Sequence, residues 1–181
     1  MMLLTVMFDK ARAEGFETVA PLSVDTLSFL PEIRNMCQDD RCHKYHRCWT
    51  CPPACGTLEQ CEKTARAYDH GILMQTVGEL EDAFDYEGFM RIEALHKQRL
   101  LHLVEELHKE GQDILPMSAG ACTICENCTY PTEPCRHPEK ALISMEAFGL
   151  WVSDVCKKNN VPYNYGEKKL AYTSCILLKE E

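Results

Sequence analysis

The sequence predicts a small single α/β domain over residues 1–181, with a short, mostly parallel sheet, flanking helices and two cysteine-rich loops. Its length and composition, 45% hydrophobic and 26% charged, are ordinary for one compact domain with its own core. An apolar run, a long amphipathic segment and a second apolar run follow one another, as in a strand–helix–strand crossover between parallel strands. The chain also holds 12 cysteines, most of them in two short stretches.

The N-terminal part of the chain predicts three short elements. Residues 1–13 have the apolar pattern of a short amphipathic helix, and residues 18–22 have extended character. Asp25 or Ser28 is suited to cap a helix that ends near Met36, because short oxygen-bearing side chains accept hydrogen bonds from the first turn.

The middle of the chain contains the crossover unit. Residues 71–77 are a short apolar run between turn signals, which predicts a buried strand. Residues 86–110 lack proline and place their apolar side chains on one side of a helix that Gly111 ends. Residues 114–117 predict a second strand, which leads directly into the second cysteine stretch.

Two further elements are predicted after that stretch. Residues 144–158 predict a helix with Ser144 as N-cap and Glu146 in its first turn, roles that capping explains better than catalysis. Residues 171–178 predict a final strand. The second cysteine loop would therefore leave the C-terminal end of a strand and enter a helix, which is where open α/β sheets place their sites.

Cellular compartment decides how the cysteines are interpreted. No basic residue precedes the apolar start of the chain, unlike a signal peptide, and no apolar stretch approaches the ~20 residues of a membrane span. We therefore expect a cytoplasmic protein, in which cysteine clusters indicate metal or redox chemistry rather than disulfides.

The second cysteine stretch predicts an iron–sulfur site. Cys122, Cys125 and Cys128 are spaced at three-residue steps, as in loops that wrap a [4Fe–4S] cluster, and Cys135 follows as the fourth ligand. Zinc is the alternative. Structural zinc sites generally use two separated C-x2-C knuckles, and three thiols this close together suit one tetrahedral ion poorly.

The first cysteine stretch predicts a second, less regular site. Its spacing matches no standard zinc or ferredoxin pattern, although Pro52 follows a cysteine as in ferredoxin runs. The preferred ligands, for one cluster in addition to that of the second loop, are Cys37, Cys42 and Cys51, with Cys48 or Cys55 as the fourth. A three-cysteine cluster is also possible here, and it would leave one iron open to substrate.

Other residues have a plain structural interpretation beside a functional one. Cys61 is expected to be a buried thiol in a helix, and Cys156 and Cys175 stand alone. His96, on the apolar side of the long helix, is better explained as a core histidine with a hydrogen-bond partner than as a proton donor to a cluster.

Two residues beside Cys135 have a candidate role in tuning a cluster. Arg136 and His137 would raise the reduction potential of a nearby cluster by stabilising its more negative state, or would simply lie on the surface.

Several segments together resemble a known family. They are C-H-K-Y at 42–45, W-T-C-P-P at 49–53, G-A-C-T-I-C-E-N-C at 120–128, C-R-H-P at 135–138 and S-M-E-A-F-G at 144–149. The chain, from about Cys37 onward, resembles the cysteine-rich, predicted metal-binding proteins of bacteria and archaea that form a domain of unknown function, many from anaerobes. The resemblance implies metal binding, with iron–sulfur favoured, and no particular reaction. His46 replaces a frequent small residue of the family, and Cys48, Cys55 and Cys61 look like additions to its pattern.

Charge and motifs narrow the function. The net charge is −9 and no Lys/Arg run exceeds two, so a nucleic-acid partner is not expected, nor is a membrane. No glycine-rich nucleotide loop is present. Three hypotheses remain: a small electron carrier or accessory subunit with one or two [4Fe–4S] clusters and a redox partner protein, an enzyme whose open cluster iron acts on a small-molecule substrate as a reductase or desulfidase, and a zinc-stabilised interaction module.

Overall fold

The computed structural model describes residues 2–179. Its elements are α1 (Met2–Ala13), β1 (Thr18–Ser23), a single 3-10 turn (Val24–Thr26), α2 (Pro31–Gln38), α3 (Leu58–Ala65), β2 (His70–Glu79), α4 (Tyr86–Lys109), β3 (Ile114–Met117), α5 (Val152–Lys158) and β4 (Lys169–Leu178). The helix predicted over residues 1–13 corresponds to α1, and residue 1 lies outside the described residues. None of the helices in this range combines the length and apolarity that crossing a bilayer requires.

The strands form one sheet in the order β1-β2-β4-β3, and every neighbouring pair is antiparallel. The prediction of a mostly parallel sheet is therefore wrong. The crossover through α4 does return the chain so that β2 and β3 run in the same direction, since each is antiparallel to β4. They are not neighbours, however, because β4 inserts between them and hydrogen-bonds to both.

β4 is chemically suited to this central position. Residues 175–178 are an unbroken apolar run in which every side chain is fully enclosed, as expected for a strand covered on both faces. Residues 72–74 of β2 are enclosed in the same way and lie opposite residues 174–176 of β4. The two central strands are therefore held together by side-chain packing as well as by backbone hydrogen bonds.

Each face of the sheet has its own core. One face packs side chains such as Ile72 and Ile176 against α1 and α4. The other packs side chains such as Leu73 and Leu177 against α3, α5 and the segment before α5. Each large apolar side chain buried in this way contributes about 1.5–3 kcal/mol relative to exposure.

α2 begins differently from the prediction. Neither Asp25 nor Ser28 caps it; the N-cap is Leu30, with Pro31 in the first helical position. Proline has the φ of a helix and needs no hydrogen-bond acceptor for its nitrogen, so it starts the helix without a polar cap. Asp25 lies instead in the 3-10 turn that precedes α2.

The helix predicted over residues 144–158 is divided in two. Ser144 Oγ accepts the Ala147 N–H at 3.1 Å, so the predicted cap is present, but the first turn ends at Gly149. Gly149 has a φ of +84°, and the Leu150 N–H donates to Met145 O at 3.0 Å, which is a Schellman ending. α5 then begins at Val152. The other predicted strands and α4 are confirmed with ends shifted by at most two residues.

Candidate metal centre

The second cysteine loop is closed at its neck, directly after β3. The Ser118 N–H donates to Ile143 O and the Met145 N–H donates to Ser118 O, both at 2.9 Å. Residues 119–143 therefore leave the sheet and return to it at one point, which holds a long loop compact without regular secondary structure.

A buried lysine of α4 fixes the start of this loop. Lys97, 9% exposed, donates from its ammonium to Ala121 O at 2.6 Å and pairs with Glu93. The contact anchors the residue immediately before Cys122. Lys97 was not predicted from the sequence to have a role. Its position beside the apolar side of a long helix, one turn after Glu93, could have indicated a buried lysine with a partner.

The first cysteine loop begins at Cys37 in the last turn of α2 and is shaped by left-handed residues. Asp40, His43 and His46 have φ values of +50°, +55° and +56°. Aspartate and histidine enter this region more readily than most side chains. The Asp40 carboxylate also accepts the Tyr45 N–H at 2.9 Å, so the side chain that turns the chain also stabilises the turn.

Aromatic contacts join the two cysteine loops. The rings of Trp49 and Tyr130 meet edge to face with centroids 4.9 Å apart, a favourable geometry for aromatic pairs. The Trp49 indole N–H donates to Glu133 O at 3.1 Å, and Tyr130 Oη lies 3.4 Å from His46 Nδ1. Trp49 and Tyr130 thus form the contact between the loops as well as lying beside cysteines.

Between the two loops lies a small cavity, the thiol cavity, lined by five cysteines: Cys48, Cys122, Cys125, Cys128 and Cys135. The four second-loop cysteines that the sequence singled out therefore face one common space. Cys48 of the first loop joins them.

Three basic side chains also line the thiol cavity: Lys44, Arg136 and His137. The Arg136 guanidinium donates to Asn127 O at 2.6 Å, which ties the second half of the loop to its first half. Arg136 and His137 therefore lie beside the thiols, where the sequence analysis considered a tuning role for them.

Cys48 links the two cysteine loops chemically. The thiols of Cys122 and Cys51 both donate hydrogen bonds to the Cys48 sulfur, and these bonds, that of Cys122 first, lower the pKa of Cys48 well below its usual value. The same bonds raise the pKa values of Cys51 and Cys122, and burial adds to both shifts. One sulfur of this trio therefore gives up its proton readily, as a metal ligand must.

The three preferred ligands of the first loop are neighbours. The charge of Cys42 raises the pKa of Cys51, after the effects of Cys48 and burial, and contributes to raising that of Cys37, for which burial is the main cause. The charge of the Glu146 carboxylate also contributes to raising the pKa of Cys37, and Glu146 Oε2 is enclosed with no hydrogen-bond partner among the described residues. The first loop therefore carries further thiols outside the thiol cavity, and that of Cys42 is exposed.

Cys55 and Cys61 form a separate pair. Their thiols hydrogen-bond to each other, and Arg34 Nη1 lies 3.6 Å from Cys55 Sγ and 3.7 Å from Cys61 Sγ. The hydrogen bond from Cys55, together with the guanidinium, lowers the pKa of Cys61 to about 7, whereas the shared bond and burial raise the pKa of Cys55. Cys55 thus pairs with Cys61 and does not line the thiol cavity.

The remaining candidates belong to the interior. Cys156 and Cys175 are fully enclosed in the core between the sheet and helices α3 and α5. The Gln75 amide approaches Cys156 Sγ at 3.8 Å. His96 lies between α4 and the sheet and hydrogen-bonds to Thr76 at 3.0 Å. These positions agree with a packing role for all three.

Comparison with known proteins gives one match. A family model described as "Predicted metal-binding protein (DUF2284)" matches residues 20–178, a segment that contains all of the cysteines. No curated protein and no solved structure matches the chain.

Proposed function

The chain belongs to the DUF2284 family of predicted metal-binding proteins, and from that premise we propose that it binds a [4Fe–4S] cluster in the thiol cavity and transfers single electrons. The observation that carries the proposal is the convergence of five thiols from two loops on one cavity. Cys122, Cys125 and Cys128 would be three ligands, and Cys135 or Cys48 the fourth.

The spacing of the thiols favours a cluster over a single zinc ion. Four thiolates around one tetrahedral zinc lie about 3.8 Å apart, given zinc–sulfur bonds of about 2.3 Å. In residues 2–179 the one set of three metal-binding groups within 4.8 Å of one another is Glu14, His102 and Glu106, which contains no cysteine. Thiols that converge at wider separations suit a cluster whose irons occupy separate corners.

The residues of the thiol cavity have roles that follow from their chemistry. A bound cluster would supply one-electron redox chemistry. Lys44, Arg136 and His137 place positive groups and N–H donors around the thiols, which favours the more negative reduced state. Trp49 and Ile124 cover the cavity with apolar surface, which limits the access of water. The net charge of −9 suits docking with a basic redox partner.

A specific observation supports a second function. Because Cys48 faces the thiol cavity, Cys37, Cys42 and Cys51 remain as a set of three thiols in the first loop, and the charge of Glu146 acts on Cys37. Three ligands would leave one iron of a second cluster open to a small molecule. Glu146, whose Oε2 has no hydrogen-bond partner within residues 2–179, would be available there to give or accept a proton.

Anaerobic purification tests the first proposal. We expect a brown protein with about four irons and four acid-labile sulfides per chain, or about twice that with a second cluster. Cys122→Ala should lose most of the iron, because it removes a ligand from the centre of the site. Cys175→Ala is the control, since it removes a thiol that is enclosed in the core on β4 and does not line the thiol cavity.

The fourth ligand is resolved by comparing Cys135→Ala with Cys48→Ala. Loss of the visible absorption in one variant but not in the other identifies the ligand. A colourless protein that holds stoichiometric zinc and no iron after anaerobic purification would contradict both electron transfer and open-iron catalysis.

A further inference from the structure

We propose that Cys55 and Cys61 are a redox-active dithiol, which low-molecular-weight disulfides oxidise to an intrachain disulfide. The pair is separate from the thiol cavity, since neither residue lines it. The inference therefore does not depend on a cluster being bound.

The two sulfurs are already in contact and share one cation. Their thiols hydrogen-bond to each other, the Cys61 thiol also reaches Cys55 O at 3.7 Å, and Arg34 Nη1 is within 3.7 Å of both sulfurs. A guanidinium at this distance stabilises the thiolate, which is the form that attacks disulfides.

Arg34 is held in place by backbone groups on both sides of the pair. Its Nη1 donates to Ala147 O and its Nη2 donates to Gly56 O at 2.6 Å. The guanidinium is therefore an anchored part of the site and not a mobile surface cation.

The backbone explains why the two thiols meet. Gly56, at a φ of +94°, turns the chain directly after Cys55, and Thr57 then caps α3 by a capping box with Gln60. Cys61 follows in the first turns of α3, and its N–H donates to Thr57 O at 3.0 Å. The turn folds Cys55 back onto the helix that carries Cys61.

Differences in burial set the order of the exchange. Cys55 is half-buried, whereas Cys61 is 4% exposed. The two thiols titrate as a coupled pair, and Cys55 is the more exposed sulfur of the two, so it is the one that an external disulfide reaches.

The reaction balances as two successive exchanges. The Cys55 thiolate attacks one sulfur of the external disulfide, whose S–S bond breaks and releases one thiolate. Cys61 then gives its proton to a released thiolate and attacks the Cys55 sulfur of the mixed disulfide, which expels the second thiolate. From the Cys55 thiolate onward the pair loses two electrons and one proton, and the external disulfide leaves as one thiol and one thiolate, which takes up from water the proton that Cys55 released when it ionised.

Glutathione disulfide is the probe for the test. The anaerobically purified full chain is incubated with it, quenched in acid, denatured and alkylated, and tryptic peptide 48–63 is sequenced by mass spectrometry. We expect Cys55 and Cys61 to lose alkylation together while Cys48 and Cys51 keep it. The loss should be at least about tenfold faster than for Cys156 and Cys175, since an activated thiolate is the attacking species.

Cys55→Ser provides the decisive variant. Without its partner, the enclosed Cys61 should remain alkylatable. Unchanged alkylation of both residues in the folded wild-type chain would overturn the proposal, as would oxidation of Cys61 at the wild-type rate in Cys55→Ser. Iron is measured in the same samples and should not change with the disulfide, so failure of this inference and failure of cluster binding give different results.

Discussion

His96 is fully enclosed between α4 and the sheet, where its ring meets the edge of Phe16. Nδ1 has Thr76 as its partner, but Nε2 has none among the described residues. Burial first, and then the charges of Arg99 and Lys97, lower the pKa of His96 to about 3 from 6.5. The ring is therefore neutral in the folded protein at pH 7.

This predicts a pH dependence of stability. Below pH 6.5 the unfolded chain binds a proton at His96 and the folded chain does not until about pH 3, so stability is lost as pH falls through this window. The slope is at most about 1.4 kcal/mol per pH unit. We expect His96→Gln, which keeps a polar group near Thr76 but does not titrate, to reduce the slope of the unfolding free energy in urea titrations.

His102 is the matched control on the same helix. It is exposed and paired with Glu14, which raises its pKa, so its contribution is lost as pH rises rather than as it falls. His102→Gln should therefore leave the acid-side slope in place. If His96→Gln keeps the full wild-type slope, His96 is not a neutral buried group.

The position of Cys48 between the two loops could not be predicted from the spacing of cysteines along the chain. The sequence groups Cys48 with Cys51, three residues further along in a C-x2-C pair, whereas the Cys48 side chain also interacts with Cys122 of the other loop. The packing of Trp49 on Tyr130 joins the same two loops. A motif reports which thiols share a loop, but not which loops pack together.

At the scale of elements, Gly149 divides one predicted helix into two. A Cβ at this position would lie 2.3 Å from Leu58 Cδ1, and the φ of +84° is unfavourable for other residues. We expect Gly149→Ala to lower the unfolding free energy by about 2–4 kcal/mol, the sum of left-handed strain and overpacking. Urea denaturation monitored by circular dichroism measures the loss.

Gly111→Ala separates the two contributions. Gly111 has a similar φ of +76°, but a Cβ there would meet nothing within 4 Å. This variant should therefore lose only the strain energy of about 1–2 kcal/mol. Equal losses in the two variants would contradict a packing role for Gly149 against α3.

Elements whose signal is local were predictable, and their pairing was not. The apolar side of α4 and the apolar runs of β2 and β4 are visible in the sequence, and these elements are confirmed. The parallel sheet was wrong because β4, far along the chain, inserts between the strands of the crossover. Gly149 is a helix breaker inside residues 144–158, and the prediction of one helix from the cap at Ser144 did not take it into account.

At the scale of the whole molecule, the cores and the cysteine loops are distinct regions. Both cores are built on the sheet, and the thiols of the thiol cavity belong to neither. We expect removal of bound metal by a chelator to leave the sheet folded and to loosen the loops. Hydrogen exchange measured before and after chelation should show lost protection in residues 37–57 and 118–143.

α1, β1 and β2 serve as the internal reference in that measurement. Their amide protection should not change, because their side chains pack in the core formed with α4. A loss of protection throughout residues 2–179 would instead mean that metal binding supplies the folding free energy, as in zinc fingers.

The position of β4 has a consequence for the order of events during synthesis. β4 follows nearly all of the cysteines, yet β3 pairs with no other strand in the described chain. As the polypeptide emerges from the ribosome, the second cysteine loop is therefore synthesised before the strand that holds β3 in the sheet. A site that draws thiols from both loops reaches its final geometry only after β4 has been made and has inserted.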